Sequence, residues 1–431
     1  MKSLVFKKRV MVVMLFVLIL SACSSGGKPE GSAKTATGEN DKLNEREITF
    51  MTISLSPAFD EYLQQMIDEY EAANEGVTIE WRDVPMDQVE QMVMTRASSG
   101  DLPDVMNLNT LYLKKLAGLG ALVNMDEAAA DAKEDYFTGL WQSGSVGDAN
   151  YAIPWYVTTG GFLYNEDILN EAGFEEPPST FEEAWEYSEV IYEKTGAYGE
   201  VIEPKINKMM SLHGISILNE DTTAAELNTP EAVELWTKLK DKYDQGLVPK
   251  NILLGQMPIP EMYAQEKVAF WSTGPQLFRQ VKDLSPDVYE QSDAAPALVS
   301  DANLQYAAIM NLAVPKQSEH VDLAVDFALF VTNAQNQLAF SKEANTLPSV
   351  REAAQDEYFT KGEDSDDPAE RGNFFAAQQL EIAQDITIPH EKAGEINDAL
   401  TESFQEMLIN DGEPEQTLAD LEAEINGILQ D

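Results

Sequence analysis

Residues Val77–Leu108, VTIEWRDVPMDQVEQMVMTRASSGDLPDVMNL, carry the patterns of two strands and of the helix between them. Apolar side chains recur at every second position early in Val77–Val84, which predicts a half-buried strand. Met86–Ser98 has the spacing of an amphipathic helix, which we expect Gly100 to end. Asp104–Leu108 then predicts a further short strand.

The residues before this segment repeat the same order. Glu47–Ser54 predicts a strand, and Phe59–Ala73 has apolar residues at helical spacing. The order strand, helix, strand, helix, strand is typical of parallel α/β construction. The sequence therefore predicts an α/β fold.

Helical patterns dominate later in the chain. We predict Thr180 as an N-cap, and Thr229 is followed by a proline at the first helical position. The polar, acidic segment Lys361–Arg371 is typical of a loop or a crossing segment. The predicted helices are Thr180–Thr195, Thr229–Tyr243, Val321–Leu338, Ile396–Leu408 and Pro414–Leu429.

Composition excludes several classes of protein. The chain has 431 residues, with 29 Lys and Arg against 75 Asp and Glu, for a formal net charge of −46. Such a charge disfavours nucleic acid as a partner, because nucleic acid is itself a polyanion. A single cysteine excludes an intrachain disulfide, and three scattered histidines disfavour a zinc site. We predict neither a cofactor nor a metal ion.

The N-terminus has the pattern of an export signal. Basic residues from Lys2 to Arg9 precede a continuous apolar run, Val10–Leu20. That run is short for a membrane span and is typical of a signal peptide, which we place at residues 1–22. Residues 23–45 are polar and rich in Ser, Gly and Thr, so we predict a flexible tether there.

The only cysteine, Cys23, comes three residues after the end of the apolar run. Leu20-Ser21-Ala22-Cys23 resembles a bacterial lipobox, in which the peptide is cleaved before the cysteine and the sulfur carries lipid. The resemblance implies a lipid anchor at Cys23 on the outer face of the cytoplasmic membrane, most typical of a Gram-positive bacterium. The alternative is an ordinary signal peptide with an incidental cysteine.

Motifs of common enzymes are absent from the sequence. The chain contains no G-x-x-x-x-G-K-[ST], no G-x-S-x-G and no H-E-x-x-H, and no G-x-G-x-x-G follows a predicted strand. We therefore predict that the protein is not an enzyme. The sequence leaves one alternative open, a catalytic pair of carboxylates at glycosidase spacing, because acidic residues are numerous.

Short segments spread along the chain carry a resemblance to a known family. They are Ser99–Val105, Leu116–Leu122, Tyr151–Pro154, Leu163–Leu169, Ala172–Phe174, Pro177–Glu183, Gln265–Phe270, Thr273–Pro275, Val314–Ser318, Ala324–Phe330 and Asn345–Pro348. In this order, behind a lipobox, they resemble the extracellular solute-binding proteins of carbohydrate ABC importers, the family of the maltose- and oligosaccharide-binding proteins.

The resemblance implies a periplasmic-binding-protein-like fold of type II. Two lobes, each a mixed or parallel sheet flanked by helices, would be joined by a hinge of crossing segments. Lobe one would comprise residues 45–157 and 311–359, and lobe two residues 160–306 and 362–431. A sugar would bind between the lobes and close the hinge.

Loops after the predicted strands of lobe one supply the first candidate ligand residues. Open α/β sheets bind ligands at the carboxyl ends of their strands. The candidates there are Ser54, Ser56, Asp83, Asn107 and Asn109, since Asn both donates to and accepts from hydroxyls. The alternative for the asparagines is a capping or turn role.

Aromatic residues supply the second group of candidates. Trp155 and Tyr156 precede a Gly-Gly break and could stack on the C–H faces of sugar rings, or else belong to the core. Many members of the family stack a tryptophan just after a Gly-Pro, where this chain has glutamine. The remaining candidates implied by the resemblance are Trp271, Thr273, Gly274, Gln276, Phe374 and Phe375.

The expected function is that of a lipid-anchored, monomeric receptor. It would bind a sugar or oligosaccharide, close, and deliver the ligand to ABC permease subunits in the membrane. One alternative is a binding protein for a non-sugar solute such as a polyamine. A less favoured alternative is a surface glycoside hydrolase.

Overall fold

The computed structural model describes residues 46–219, 221–390 and 392–430. The predicted signal peptide, the lipid site at Cys23 and the tether lie outside these residues. Within the described ranges, no helix combines the length and the apolar character that crossing a membrane requires.

The strands alternate with helices in the first part of the chain, as predicted, and are less regularly spaced later. They are β1 Arg46–Ile53, β2 Val77–Val84, β3 Val105–Asn109, β4 Ser145–Val146, β5 Ala149–Asn150, β6 Ile153–Thr159, β7 Gly161–Asn165, β8 Phe270–Thr273, β9 Ser292–Ala295, β10 Gln305–Ala313, β11 Leu347–Pro348 and β12 Ala383–Gln384.

The helices range from single turns to the two long helices that end the chain. They are α1 Asp60–Ala73, α2 Met86–Ser99, α3 Thr110–Gly118, α4 Met125–Ala128, α5 Thr138–Trp141, α6 Glu166–Ala172, α7 Phe181–Thr195, α8 Ile206–Leu212, α9 Pro230–Asp244, α10 Lys250–Leu253, α11 Ile259–Tyr263, α12 Arg279–Leu284, α13 Pro286–Glu290, α14 Val321–Val331, α15 Ala334–Ala344, α16 Arg351–Ala354, α17 Glu357–Thr360, α18 Pro368–Gln378, α19 Ala393–Ile409 and α20 Pro414–Gln430.

The larger sheet has the strand order β11-β6-β10-β3-β1-β2, with β12 paired to β10. Strands β2, β1 and β3 are parallel, as the sequence predicts, and β10 runs antiparallel to β3 and β6. The carboxyl ends of the three parallel strands therefore meet at one edge. In the core that covers this sheet, Phe50 packs against Trp155 and Phe327.

The smaller sheet has the order β8-β7-β9, with both neighbours antiparallel to β7. Parallel bridges from Tyr198 to Val268 and from Thr180 to Val299 extend it, so it is mixed. A separate core covers it, in which Trp236 packs edge-on against Phe404. The two sheets with their own cores are the two lobes.

Within the described residues, three regions of the chain run between the lobes. The first is Gly160, between β6 and β7, and the second is the segment 296–304, between β9 and β10. The third is α18 together with the residues before and after it, since Phe359 packs with the first lobe and Ala393 with the second. Ala369 at the start of α18 packs with the second lobe, whereas Ala376 packs with Val157 of the first.

The predicted N-cap Thr180 is confirmed, Thr229 caps its helix as well, and one predicted helix is wrong. Thr180 and Thr229 accept hydrogen bonds from backbone N–H groups of the first turns of α7 and α9. The predicted helix Val321–Leu338 is broken into α14 and α15. Thr332 turns its hydroxyl back onto the carbonyl of Ala328, and Asn333 is extended and caps α15, so side-chain hydrogen bonds compete with the helix.

The segment Lys361–Arg371 is less of a loop than predicted. Lys361–Asp364 form a 3₁₀ turn, and α18 begins at Pro368. The carboxylate of Asp367 accepts from two backbone N–H groups and so caps the helix. Proline at the first helical position and an acidic N-cap explain why a polar segment becomes helical.

Candidate functional site

A cavity of about 520 Å³ lies where the crossing segments meet the second lobe. It is bounded by the Gly160-Gly161 crossing, the start of β10, the residues after β12, α8 and α19. Its apolar wall includes Phe181, Met209 and Leu298. Its polar groups include Glu200, Glu203, Lys205, Lys208, Gln305 and Asn397.

The Gly160-Gly161 crossing lets the backbone approach its neighbours closely. A Cβ on Gly160 would lie 2.8 Å from Oε1 of Gln305. A Cβ on Gly161 would lie 2.9 Å from the Pro275 ring. Both distances are shorter than van der Waals contact. The Pro275 ring is rigid, so a side chain at Gly161 would force a local shift, whereas the flexible end of Gln305 can turn away from Gly160.

Glu200 reaches the cavity because the segment before it is wedged between α7 and β8. Tyr198 pairs with the β8 side, and its carbonyl accepts from the N–H of Ala269 at 2.8 Å. A Cβ on Gly199 would lie 2.2 Å from Oγ of Ser188, so only glycine fits. The N–H of Glu200 then donates to the Ser188 hydroxyl at 2.9 Å.

The carboxyl group of Glu200 is 5% exposed and has one hydrogen bond. The Ser272 hydroxyl donates to its Oε1 at 2.9 Å, and among the described residues nothing donates to Oε2. Burial raises the pKa of this carboxyl to about 7, although Ser272 and the positive charge of Lys208 lower it. Near neutral pH both the protonated and the ionised forms are populated.

Gln305 occupies the start of β10, next to the Gly160 crossing, and is 2% exposed. Its Oε1 accepts from the N–H of Tyr306 at 2.7 Å. Within the described ranges its Nε2 donates to no acceptor. Two side chains that line one cavity thus hold a buried acceptor and a buried donor, each without a hydrogen-bond partner in the described chain.

Groups of both signs surround this buried pair. Glu203 and Lys205 are exposed, and Lys208 lies 5.3 Å from the ring centroid of Tyr306. Asp398 of α19 lines the cavity as well. Because acidic and basic groups nearly balance, the arrangement suits a polar ligand with little net charge.

The first lobe contacts the wall of the cavity through the N-terminal part of α3. The Thr110 hydroxyl donates to the carboxylate of Asp385, and Nζ of Lys114 donates to the carbonyl of Thr387 at 3.3 Å. Thr387 lines the cavity. Burial lowers the pKa of Lys114. These contacts connect the first lobe to the residues that border the cavity.

The candidates of lobe one lie at the edge where the parallel strands end, and they bond locally. Asp83 accepts from the Thr52 hydroxyl and from the N–H of Leu55. Asn109 caps α3, the alternative that its sequence context allows. Asn107 is fully buried.

The two serines at this edge are both exposed. The Ser54 hydroxyl accepts from the N–H of Met86 at 3.0 Å. Ser56 carries no side-chain hydrogen bond in the part of the chain that the structure describes. Neither serine lines the cavity in this structure.

The tryptophan candidates are core residues. Trp155 is fully buried and stacks on Phe340 with a centroid distance of 5.0 Å, and Trp271 is 5% exposed among the side chains around Phe278. Both faces of β6 are covered, which sequence alternation does not reveal. Tyr156 is half-buried against the same Phe340 ring.

The remaining candidates are half-buried and lie at the end of β8, just after β8, and on α18. These are Thr273, Gly274, Gln276, Phe374 and Phe375. The Gln276 amide folds back over Gly274, where a Cβ would come within 2.4 Å of its Nε2. None of the residues predicted for the ligand site is among those that line the cavity.

The cavity residues that sequence reasoning missed include members of four distant segments. Residues 200–208, Gln305, Thr387 and Asn397 share no motif or spacing. One signal was present in the sequence: Glu203-Pro204-Lys205 is a charged turn directly before the helical pattern of α8. Only the folded chain shows that this turn meets the other three segments.

Comparisons with known proteins agree with this architecture. The model of a family described as bacterial extracellular solute-binding protein matches residues 65–369. A protein of Brucella abortus named as a binding protein is 25% identical over 379 residues, which cover 86% of this chain and 90% of that protein. The galactooligosaccharide-binding protein of Bacillus subtilis is 22% identical over 299 residues, covering 67% of this chain and 69% of that protein.

A solved structure has the same fold. The sugar-binding protein MalE from Xanthomonas citri superposes with a TM-score of 0.76 at 20% identity, covering 89% of this chain and 97% of that one. The fold is therefore that of the two-lobed periplasmic binding proteins. The chain belongs to the family of bacterial extracellular solute-binding proteins, since the family match spans more than half of its length.

Proposed function

We propose that this protein is an extracellular receptor that binds a sugar or oligosaccharide between its lobes and delivers it to an ABC permease. The observation that carries the proposal is the cavity at the crossing segments. Its volume of about 520 Å³ falls within the range of roughly 300–1,000 Å³ that small-molecule sites occupy.

The lining of the cavity supports a sugar as the ligand. Apolar side chains such as Phe181 and Leu298 can cover the C–H faces of a ring, while the amides and carboxylates bind hydroxyls. The mixed charges of Glu203 and Lys205 fit a neutral polyol better than a strongly charged solute. The names of the relatives from Bacillus subtilis and Xanthomonas citri agree with this class of ligand.

We propose further that the receptor is anchored by lipid at Cys23 and works as a monomer at the outer face of a Gram-positive membrane. The lipobox-like sequence Leu20-Ser21-Ala22-Cys23 supports the anchor. Closure of the lobes would bring the edge that carries Asp83 and Asn109 towards the cavity. In this proposal those residues, Tyr156 and the half-buried group around Gln276 contact the ligand only in the closed form.

A thermal-shift screen tests the proposal. The purified protein is heated with monosaccharides, with maltotriose, a galactooligosaccharide and diacetylchitobiose, and with spermidine and amino acids as controls. A ligand that binds only the folded state raises the melting temperature by mass action. A rise with a sugar that is recovered intact supports the proposal, and shifts with spermidine alone would overturn the ligand class.

One observation favours the second candidate, a glycoside hydrolase. A buried carboxyl with a raised pKa, such as Glu200, shares a cavity with the carboxylates of Glu203 and Asp398, and glycosidases use such pairs. Mass spectrometry of the sugar after incubation decides between the two candidates. Cleaved sugar would show that the protein is a glycoside hydrolase.

A further inference from the structure

The inner wall of the cavity carries two buried side chains whose polar atoms are incompletely paired. Glu200 and Gln305 are each at least nine-tenths buried, and both line the cavity. Across the described ranges, Oε2 of Glu200 and Nε2 of Gln305 have no hydrogen-bond partner. A buried polar atom without a partner is costly, so a native protein that retains two in one cavity points to a ligand that completes them.

The two atoms are complementary in kind. An ionised carboxylate oxygen only accepts hydrogen bonds, and an amide nitrogen only donates them. A hydroxyl does both, so hydroxyls of a sugar can donate to Glu200 and accept from Gln305. A polyamine can satisfy Glu200 but offers no acceptor to Gln305 once it is protonated.

Both side chains are held in place before any ligand arrives. Ser272 fixes one oxygen of the Glu200 carboxylate, and the wedge of Gly199 against Ser188 fixes its backbone. The N–H of Tyr306 fixes the amide oxygen of Gln305. Each support leaves the other polar atom of the group buried and without a partner in the described chain, while the rest of the side chain is held in place.

We propose that Glu200 and Gln305 are specificity-determining residues of the sugar site, with a sugar hydroxyl donating to Glu200 and a second one accepting from Gln305. The proposal rests on the function proposed above and adds to it. It also implies regulation, because a proton on Glu200 competes with the donating hydroxyl of the sugar.

The direction of the pH effect follows from the groups that surround Glu200. Those that face it or share the cavity are Ser272, Glu203, Lys205, Lys208 and Asp398. In the free protein, burial holds the pKa of Glu200 at about 7. A hydroxyl that donates to the carboxylate favours the ionised form, so bound sugar lowers this pKa. Affinity is therefore highest above about pH 7 and falls as the pH drops below it, by up to about tenfold per pH unit.

Calorimetric titration of four proteins tests the proposal. Wild type, Glu200→Gln, Gln305→Met and the surface control Glu193→Gln are titrated with maltotriose, a galactooligosaccharide and diacetylchitobiose between about pH 5 and about pH 9. We expect Glu200→Gln to lose about 10- to 100-fold in affinity at alkaline pH, the effect of a hydrogen bond to a charged group. Its affinity should no longer depend on pH in this range. Gln305→Met should lose affinity but keep the pH dependence, and the control should behave as wild type.

The outcomes separate this inference from the function on which it rests. If a sugar binds wild type and Glu200→Gln equally at every pH, the inference is wrong while the sugar receptor stands. If no sugar in the panel binds wild type, the proposed function fails and the inference fails with it. Circular dichroism of each variant shows whether a loss of binding reflects unfolding.

Discussion

Replacing Glu200 with glutamine should make the ligand-free protein more stable than wild type, by an amount that grows as the pH rises. The same replacement should weaken ligand binding. Burial raises the pKa of this carboxyl from 4.5 to about 7. Below pH 4.5 the group is protonated in both the folded and the unfolded chain, so it costs nothing. Between the two pKa values the unfolded chain loses its proton first, and the free energy of unfolding falls. Above about pH 7 both states are ionised, and the cost is constant.

The magnitude follows from the shift itself. A difference of about 2.5 pKa units corresponds to about 3 kcal/mol. Glutamine has nearly the same shape and never ionises, so it removes this pH-dependent cost. For a body of this size the unfolding entropy is about 0.8 kcal/mol per kelvin, so the melting temperature of the variant should gain about 4 °C relative to wild type between acidic and alkaline pH.

Thermal and urea unfolding of wild type, Glu200→Gln and Glu193→Gln across this pH range measures the effect. Glu193 is an exposed carboxylate on α7, so its replacement controls for the loss of one negative charge. Every other titrating group is common to wild type and variant, and the difference between them reports on Glu200 alone. A difference between Glu200→Gln and wild type that stays constant from pH 4 to pH 8 would refute the reasoning.

Three further predictions concern the support of the site, the core and the anchor. Gly199→Ala should cost about 1–3 kcal/mol in urea unfolding, because its Cβ meets Ser188, whereas Gly427→Ala, in open space on a helix, should stabilise by about 0.5–1 kcal/mol. Trp155→Ala should lower the free energy of unfolding by about 3–5 kcal/mol, as a core deletion does. It should leave the sugar affinity of the folded fraction unchanged. Lost affinity in fully folded protein would instead show that Trp155 belongs to the binding site. Mass spectrometry of the protein extracted from the membrane fraction should show lipid on Cys23, and a mature N-terminus without lipid would contradict the lipid anchor.

The order of elements in the first lobe could be predicted because local patterns determine it. The spacing of Leu63, Met66 and Tyr70 reports the buried face of α1, and the alternation in β2 reports one covered face. The caps Thr180 and Thr229 are also local, since each bonds within its own first turn. Such features need no knowledge of the rest of the chain.

The break between α14 and α15 could not be read from hydropathy, because the apolar pattern runs through it. The choice depends on the side chains of Thr332 and Asn333, which hydrogen-bond to the backbone. The burial of Trp155 is non-local as well. It depends on Phe340, which is distant in sequence and covers the outer face of β6.

The cavity could not be predicted from local sequence patterns. Glu200 and Gln305 lie on segments that meet only after the chain has crossed between the lobes. In the sequence each is one polar residue among many, and neither belongs to a motif that would mark it as a ligand residue. Their significance comes from burial and from polar atoms that nothing in the described chain pairs, which are properties of the folded structure alone.

The most direct test of the account is a crystal structure of the protein with the tightest-binding sugar of the panel. We predict intact sugar in the cavity beside the Gly160-Gly161 crossing, with hydroxyls within hydrogen-bonding distance of Glu200 Oε2 and Gln305 Nε2. Sugar bound at another surface, or an empty cavity at saturating sugar, would contradict the central claim.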